Sequence, residues 1–167
     1  MGILISNTDF TGSYALPSDK YSVDLIDATI DEREKEALLM LLGKGLYNLF
    51  VADLVDQVPQ SAIYRTIYNE LVYEDGHQLL ISKGMKDAVL RYVYFYHVRE
   101  QKYQNTITGT VQKKGTNSMP AKTDTLWLSK TYNFGIDSFN AIQCYIQDNM
   151  TDYPDYKGQD FGYVFNF

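Results

Sequence analysis

Between Met85 and Tyr103 the chain reads MKDAVLRYVYFYHVREQKY, and a helical period puts apolar side chains on every face of that stretch at once. Ala88, Val89, Tyr92, Tyr96 and Tyr103 meet the i, i+3, i+4 template, while Leu90, Val93, Tyr94, Phe95 and Val98 fill the remaining faces. A helix that is apolar all round is one that other elements enclose. At 1.5 Å per residue it is about 28 Å long, enough to cross a small domain. The rest of the sequence must therefore supply its wrapping.

Three other helical patterns are available. Val23, Ile26, Ile30, Ala37, Leu38, Leu41 and Leu42 approximate a stripe whose solvated part is DEREKE at 31–36, and Gly43 and Gly45 read as its stop. Leu46, Leu49, Phe50 and Leu54 form a shorter amphipathic set that ends before Pro59. The spacing predicts a third helix from Gln60 to about Val72, burying Ile63, Ile67 and Leu71, and YEDGHQLLISKG at 73–84 reads as a loop with a short extended piece. A last long helix follows Thr123 or Asp124 as N-cap, with Leu128, Tyr132, Ile136, Phe139, Ile142 and Ile146 on one face and Gly135 weakening its middle. Residues 3–16 read as an arm or short strand with a turn.

Two segments break the helical pattern. Residues 105–122 are rich in Thr, Asn and Gly and suit a hairpin or a mobile arm, and loops of that length in compact domains are usually functional or disordered. At the other end Phe161, Tyr163, Phe165 and Phe167 alternate with Gly162, Val164 and Asn166, a period of two that predicts a strand. A lone strand must pair with a sheet of its own or of a neighbour. The expected fold is mainly α: a helical bundle around the central aromatic helix, with a long polar arm and an extended C-terminal strand. Residues 1–150 make the helical domain, with the arm at 105–122, and 151–167 make the tail.

Composition narrows the function. Its 167 residues suit one domain, and a net charge of −6 disfavours wholesale binding of DNA or anionic membrane. Cys144 is the single cysteine, so no internal disulfide forms, and it reads as a buried small apolar residue. No segment has the length of a membrane span, and no leader pattern precedes residue 10, which points to a reducing cytoplasm. Neither GKGLY nor TGTVQKKGT has phosphate-loop spacing. His77 and His97 lack metal-helix spacing, with His97 expected as a satisfied polar group on the central helix. The row Asp24, Asp27 and Asp31 reads as a solvated face, and Asp152, Asp155 and Asp160 lack the ligand order of a calcium loop. No catalytic group, cofactor or metal is expected. The 15 Tyr exceed what a core of this size needs and suggest surfaces buried against neighbours.

A local charge of +4 stands out in this acidic chain: Arg99, Lys102, Lys113, Lys114 and Lys122 against Glu100. These five, with Phe161, Tyr163, Phe165 and Phe167, are the expected interface residues, the basic set docking an acidic partner or a nucleic-acid backbone. Three stretches, MGILISNTDFTGSYALP, SKGMKDAVLRYVYFYHVREQKYQNTITGTV and YNFGIDSFNAIQCYIQDN, together resemble a family of small virion proteins of tailed bacteriophages. These are the head-to-tail connector proteins, also called neck, adaptor or head-completion proteins, including those of crAss-like and related Bacteroides-type phages. The resemblance implies a mostly helical subunit of a homo-oligomeric ring of about twelve copies between portal and tail. It further implies contacts to portal, neck and tail proteins, genomic DNA passing through the lumen without sequence-specific binding, no membrane, and assembly into the virion after synthesis in the host cytoplasm. The arm at 105–122 matches by position a loop that such proteins send into the neighbouring ring, whereas the aromatic tail at 161–167 has no counterpart. Two other classes remain open from the residues alone: a glycan-binding or other non-enzymatic interaction module using exposed Tyr and Trp127, and an enzyme with a dispersed site.

Overall fold

The structure is a computed structural model that describes residues 2–76, 78–106, 109–112 and 125–164, with residues 75, 102–106, 109–112 and 125 described in their backbone only. It is mostly helical. Asp19 starts α1 (Lys20–Ala52), its carboxylate accepting from the Ser22 amide at 3.0 Å and the Ser22 hydroxyl at 2.6 Å. A two-residue pair follows, β1 (Leu54–Val55) with β2 (Val58–Pro59), joined through Asp56 and Gln57 at positive φ. Then come α2 (Ala62–Tyr68), β3 (Leu71–Asp75) antiparallel to β4 (Gln78–Ser82), α3 (Met85–Lys102), β5 (Tyr103–Thr106) antiparallel to β6 (Gly109–Gln112), and α4 (Thr125–Asp148).

The greasy stretch is α3, and it is enclosed as its pattern demands, with α1 on one side, α4 on another and α2 touching its start. Rings fill the α3–α4 seam. Tyr132 lies 4.5 Å from Phe95 and 5.8 Å from Tyr92, and Tyr92 meets Phe139 edge-on at 6.3 Å. Burial pushes the phenols of Tyr92 and Tyr132 well above their ordinary value. Tyr92, Tyr94, Tyr132 and Tyr153 are thus part of the chain's own core, while Tyr21 and Tyr163 are exposed. Gly135 marks a close approach of the two helices: a Cβ there would stand 3.2 Å from both the Ala88 carbonyl oxygen and Arg91 Cβ. His97 is buried on α3, within 3.2 Å of Thr29 Oγ1 on α1, which makes it the satisfied core group that the sequence suggested.

Gly43 interrupts α1 with φ 73° and ψ 160°, a backbone region that glycine alone occupies at low cost. A helix ending there leaves its last carbonyls without partners. Three of them find partners far along the chain. The amide of Lys157 donates to Leu42 O at 3.2 Å, that of Gln159 to Met40 O at 2.6 Å, and the Gln143 side chain of α4 to Leu41 O at 3.4 Å. Gln143 also donates to Gln159 O at 2.9 Å, so helix break, tail and α4 form one network. The tail lies so close that a Cβ on Gly43 would stand 2.5 Å from Lys157 O.

The N-terminal segment forms two 3-10 turns, Asn7–Asp9 and Gly12–Tyr14, in place of a strand. Glu34 of α1 secures it. This carboxylate is 1% exposed and accepts the amides of Ile3, Leu4 and Ile5 at 2.5, 2.6 and 3.0 Å. Burial raises its pKa above the ordinary carboxylate value even though all three amides favour the charged form.

Two expectations from spacing are corrected. The third helix is shorter than Gln60 to Val72, because Asn69 leaves helical geometry at ψ 175° and Leu71 and Val72 enter β3; Ile67 is buried but Ile63 is exposed. The segment at 73–84 belongs to a hairpin, turning through Gly76 at φ 58°. The proposed N-cap at Thr123 or Asp124, and His77, lie outside the described residues.

Gly43→Ala is expected to cost about 3 kcal/mol, because a side chain there is strained in its backbone and collides with the tail; chemical denaturation measures it. Glu34→Gln places an amide donor among amide donors and is expected to cost about 1–3 kcal/mol near neutral pH. Because the folded protein holds the Glu34 proton more tightly than the unfolded chain, this group's contribution to stability is full below its unfolded value and falls as pH rises through its raised value. Unfolding free energies measured across that window should slope less in the Gln variant than in the parent.

Candidate functional site

The β3–β4 hairpin has two unlike faces, set by the period of two and by the register Leu71↔Ser82, Val72↔Ile81, Tyr73↔Leu80, Glu74↔Leu79. Leu71, Tyr73, Leu80 and Ser82 share one face. It lies on α4, where Tyr73 meets Tyr145 edge-on at 6.3 Å, its hydroxyl donates to Asp148, and Ser82 is fully buried. The other face carries Val72, Ile81 and Leu79, which are 60, 46 and 57% exposed. Three large, exposed apolar side chains on one face, with Glu74 beside them, depart from the usual polar outer face of an antiparallel pair. Both outer edges are unpaired among the described residues, since β3 and β4 pair only with each other.

The apolar surface continues onto α4. Phe134 is 60% exposed, and an open groove of about 600 Å³ runs between it and β4, lined by Leu79, Ile81, Phe134, Arg91 and Asp137 among others. Its polar groups are mostly engaged. Arg91 holds Asp87 one turn away at 2.6 Å, and although burial opposes its charge, the Asp87 carboxylate keeps its pKa above the ordinary value. Asp137 accepts from the Tyr163 hydroxyl at 2.8 Å, and burial together with that carboxylate pushes the Tyr163 phenol up. Lys83 pairs with Glu70 at 2.8 Å on the exposed rim. A groove with an apolar floor and a spent polar rim is suited to shape recognition and burial of apolar surface.

The sequence-derived interface residues fall elsewhere. Arg99 is exposed near the end of α3, its guanidinium 6.0 Å from the Phe95 ring centroid. Lys102 is the last residue of α3 and its side chain lies outside the described residues, as do Lys113, Lys114, Lys122, Phe165 and Phe167. The arm expected at 105–122 enters the description only through parts of β5 and β6, which pair antiparallel from Tyr103↔Gln112 to Thr106↔Gly109. Phe161 is a correction. It is 6% exposed, stacked on Phe139 at 4.5 Å and edge-on to Tyr92 at 6.2 Å, and so belongs to the core of its own chain. Residues 161–164 form no strand. Instead, Asn133 of α4 accepts the Val164 amide at 3.0 Å and donates to its carbonyl at 2.9 Å, presenting the donor and acceptor that a neighbouring strand would present. Tyr163 is exposed at its ring and held to α4 by its hydroxyl, which donates to Asp137 and accepts from Asn140 at 2.8 Å.

Other suspected groups are structural. Trp127 packs on Tyr14 at 6.0 Å and against Tyr94 at 5.8 Å. Asp24 and Asp31 are exposed and Asp27 accepts from Asn7, in keeping with a solvated face. Cys144 is half-buried. Among the described residues no group of three or more His, Cys, Asp or Glu is placed to hold a metal ion, and no helix is long and apolar enough to cross a membrane.

Fold and surface together define a small helical domain with an unpartnered apolar hairpin face. The chain belongs to the Family of unknown function (DUF6712), whose profile matches residues 40–162, from just before the Gly43 break through α4 to the docked tail. No curated protein and no solved structure matches it.

Asn133→Ala removes both hydrogen bonds to Val164 and is expected to cost about 1–2 kcal/mol. Amide exchange at residues 161–164 should accelerate in that variant while exchange in the buried middle of α3 stays slow.

Proposed function

We propose that this chain is a structural subunit of the head-to-tail connector of a tailed bacteriophage, joining copies of itself in a ring of about twelve and catalysing no reaction. The observation that carries the reading is the uncovered outer face of the β3–β4 hairpin, where Val72, Leu79 and Ile81 adjoin Phe134. A ring needs a heterologous contact, in which one patch meets a different patch on the next copy. The hairpin offers both an exposed apolar face and, among the described residues, strands that pair only with each other. The basic residues Lys102, Lys113, Lys114 and Lys122 then reach toward an acidic surface of the portal, neck or tail, as the resemblance to connector proteins implies. A charge of −6 per copy favours a lumen through which DNA slides without sequence-specific contacts. The particle is put together in the host cytoplasm and the subunit ends in the virion neck.

Mass measurement of the purified protein, alone and with its portal, tests the reading. A ring in either sample is expected, and the double substitution Leu79→Asp with Ile81→Asp should abolish it while leaving the unfolding midpoint nearly unchanged, because both side chains are exposed. A wild-type chain that stays monomeric in both samples, or a double variant that assembles normally, overturns the proposal.

A further inference from the structure

The break in α1 creates a second concavity, distant in composition from the apolar groove. Where the helix turns at Gly43 and the tail crosses it, an open notch of about 520 Å³ forms, with Lys35, Lys44 and Lys157 at its walls. Leu39, Tyr47, Asn48 and Gln159 complete it. Among the described residues no carboxylate lines the notch, and none of the three lysines makes an ion pair, although the chain as a whole is acidic. These cations come from three separate places: one each from the two halves of α1 and one from the tail. The tail's position is fixed by the bonds of Lys157 and Gln159 to the carbonyls of Leu42 and Met40, so Lys157 is held opposite the helix.

The geometry points to a binding site for a compact polyphosphate in this notch, with Lys35, Lys44 and Lys157 supplying the positive charge and Asn48, Gln159 and the Tyr47 phenol supplying neutral donors. Lysine recognises phosphate as a flexible point charge, and three of them can surround an anion without the fixed fork of arginine. The volume is that of a small-ligand site. Size selection follows from the charge balance: a long polyanion such as duplex DNA must also lie against the surface of an acidic chain outside the notch and is repelled by carboxylates within a Debye length of it, about 8 Å at physiological salt, whereas a short one places all its charge beside the three ammonium groups. This inference goes beyond the ring reading and does not depend on it, because the notch is built within one chain.

Calorimetric titration of the full-length protein with sodium triphosphate, at about 0.02 M and 0.15 M salt, tests it. One saturable site per chain is expected, weaker at the higher salt. Lys44→Gln and Lys157→Gln should each weaken binding roughly three- to tenfold and the double variant more, with unfolding midpoints unchanged because both side chains are exposed. Lys44→Arg keeps the charge and should retain affinity, and Lys20→Gln, outside the notch, should have no effect. Absence of saturable binding at low salt, equal affinity in the double variant, or a short DNA duplex outcompeting triphosphate at equal phosphate concentration would each overturn the assignment. Because the titration reads a site within one chain, a protein that binds triphosphate but stays monomeric both alone and with its portal would sink the ring and leave the site standing, and a ring that fails to bind it would do the reverse.

Discussion

The capping of a broken helix by a distant segment holds this architecture together. Gly43 stops α1 in mid-course, and the carbonyls of Met40, Leu41 and Leu42 are satisfied by Gln159, Gln143 and Lys157. An uncapped buried carbonyl costs on the order of 1–3 kcal/mol, so three left open would consume much of the stability of a domain this size. The break and the tail are therefore one feature. Beyond the ties at residues 157–159, Phe161 stacks on Phe139 and the Val164 amide donates to Asn133, so the tail is held at three successive points. The same crossing that satisfies the backbone also sets Lys157 across from Lys35 and Lys44.

The α3–α4 seam is rich in aromatic rings. Tyr92 touches Tyr96, Tyr132, Phe139 and Phe161, and the N-terminal turns add Phe10 and Tyr14 against Tyr94. Large flat side chains on α3 and α4 would hold two ordinary helices apart. Gly135 counters this by letting the backbones approach where the rings are not. The outer face of the β3–β4 hairpin is by contrast aliphatic, with Val72, Leu79 and Ile81 exposed and Phe134 exposed on α4 beside it.

The helices were legible where period and burial coincide. The stripe from Leu128 to Ile146 is buried at each predicted position, and α3 runs where its all-round apolarity placed it. Gly43 was read as a stop, correctly in position, but nothing in its neighbourhood shows that residues more than a hundred positions away provide the caps. The hairpin at 71–82 carried a visible signal, Asp75-Gly76 between two apolar runs, which a loop reading passes over. With it went the apolar face, since only pairing reveals which residues of QLLIS share a side. The tail misled for a different reason. An alternating pattern reports extended backbone, not the identity of its partner, and here the Asn133 amide serves in place of a second strand. Phe134 hides next to the stripe of α4, where one exposed aromatic residue looks like any other.

The capped break also constrains the order of events as the chain is made. The groups that satisfy Met40 and Leu42 follow them by about 115 residues, and at ordinary translation speed they leave the ribosome on the order of ten seconds later. Until then the carbonyls of Met40 and Leu42 lack their partners in the chain, while Gln143, the partner of Leu41, is made earlier as part of α4. The break in α1 is therefore fully capped only after synthesis has passed residue 159.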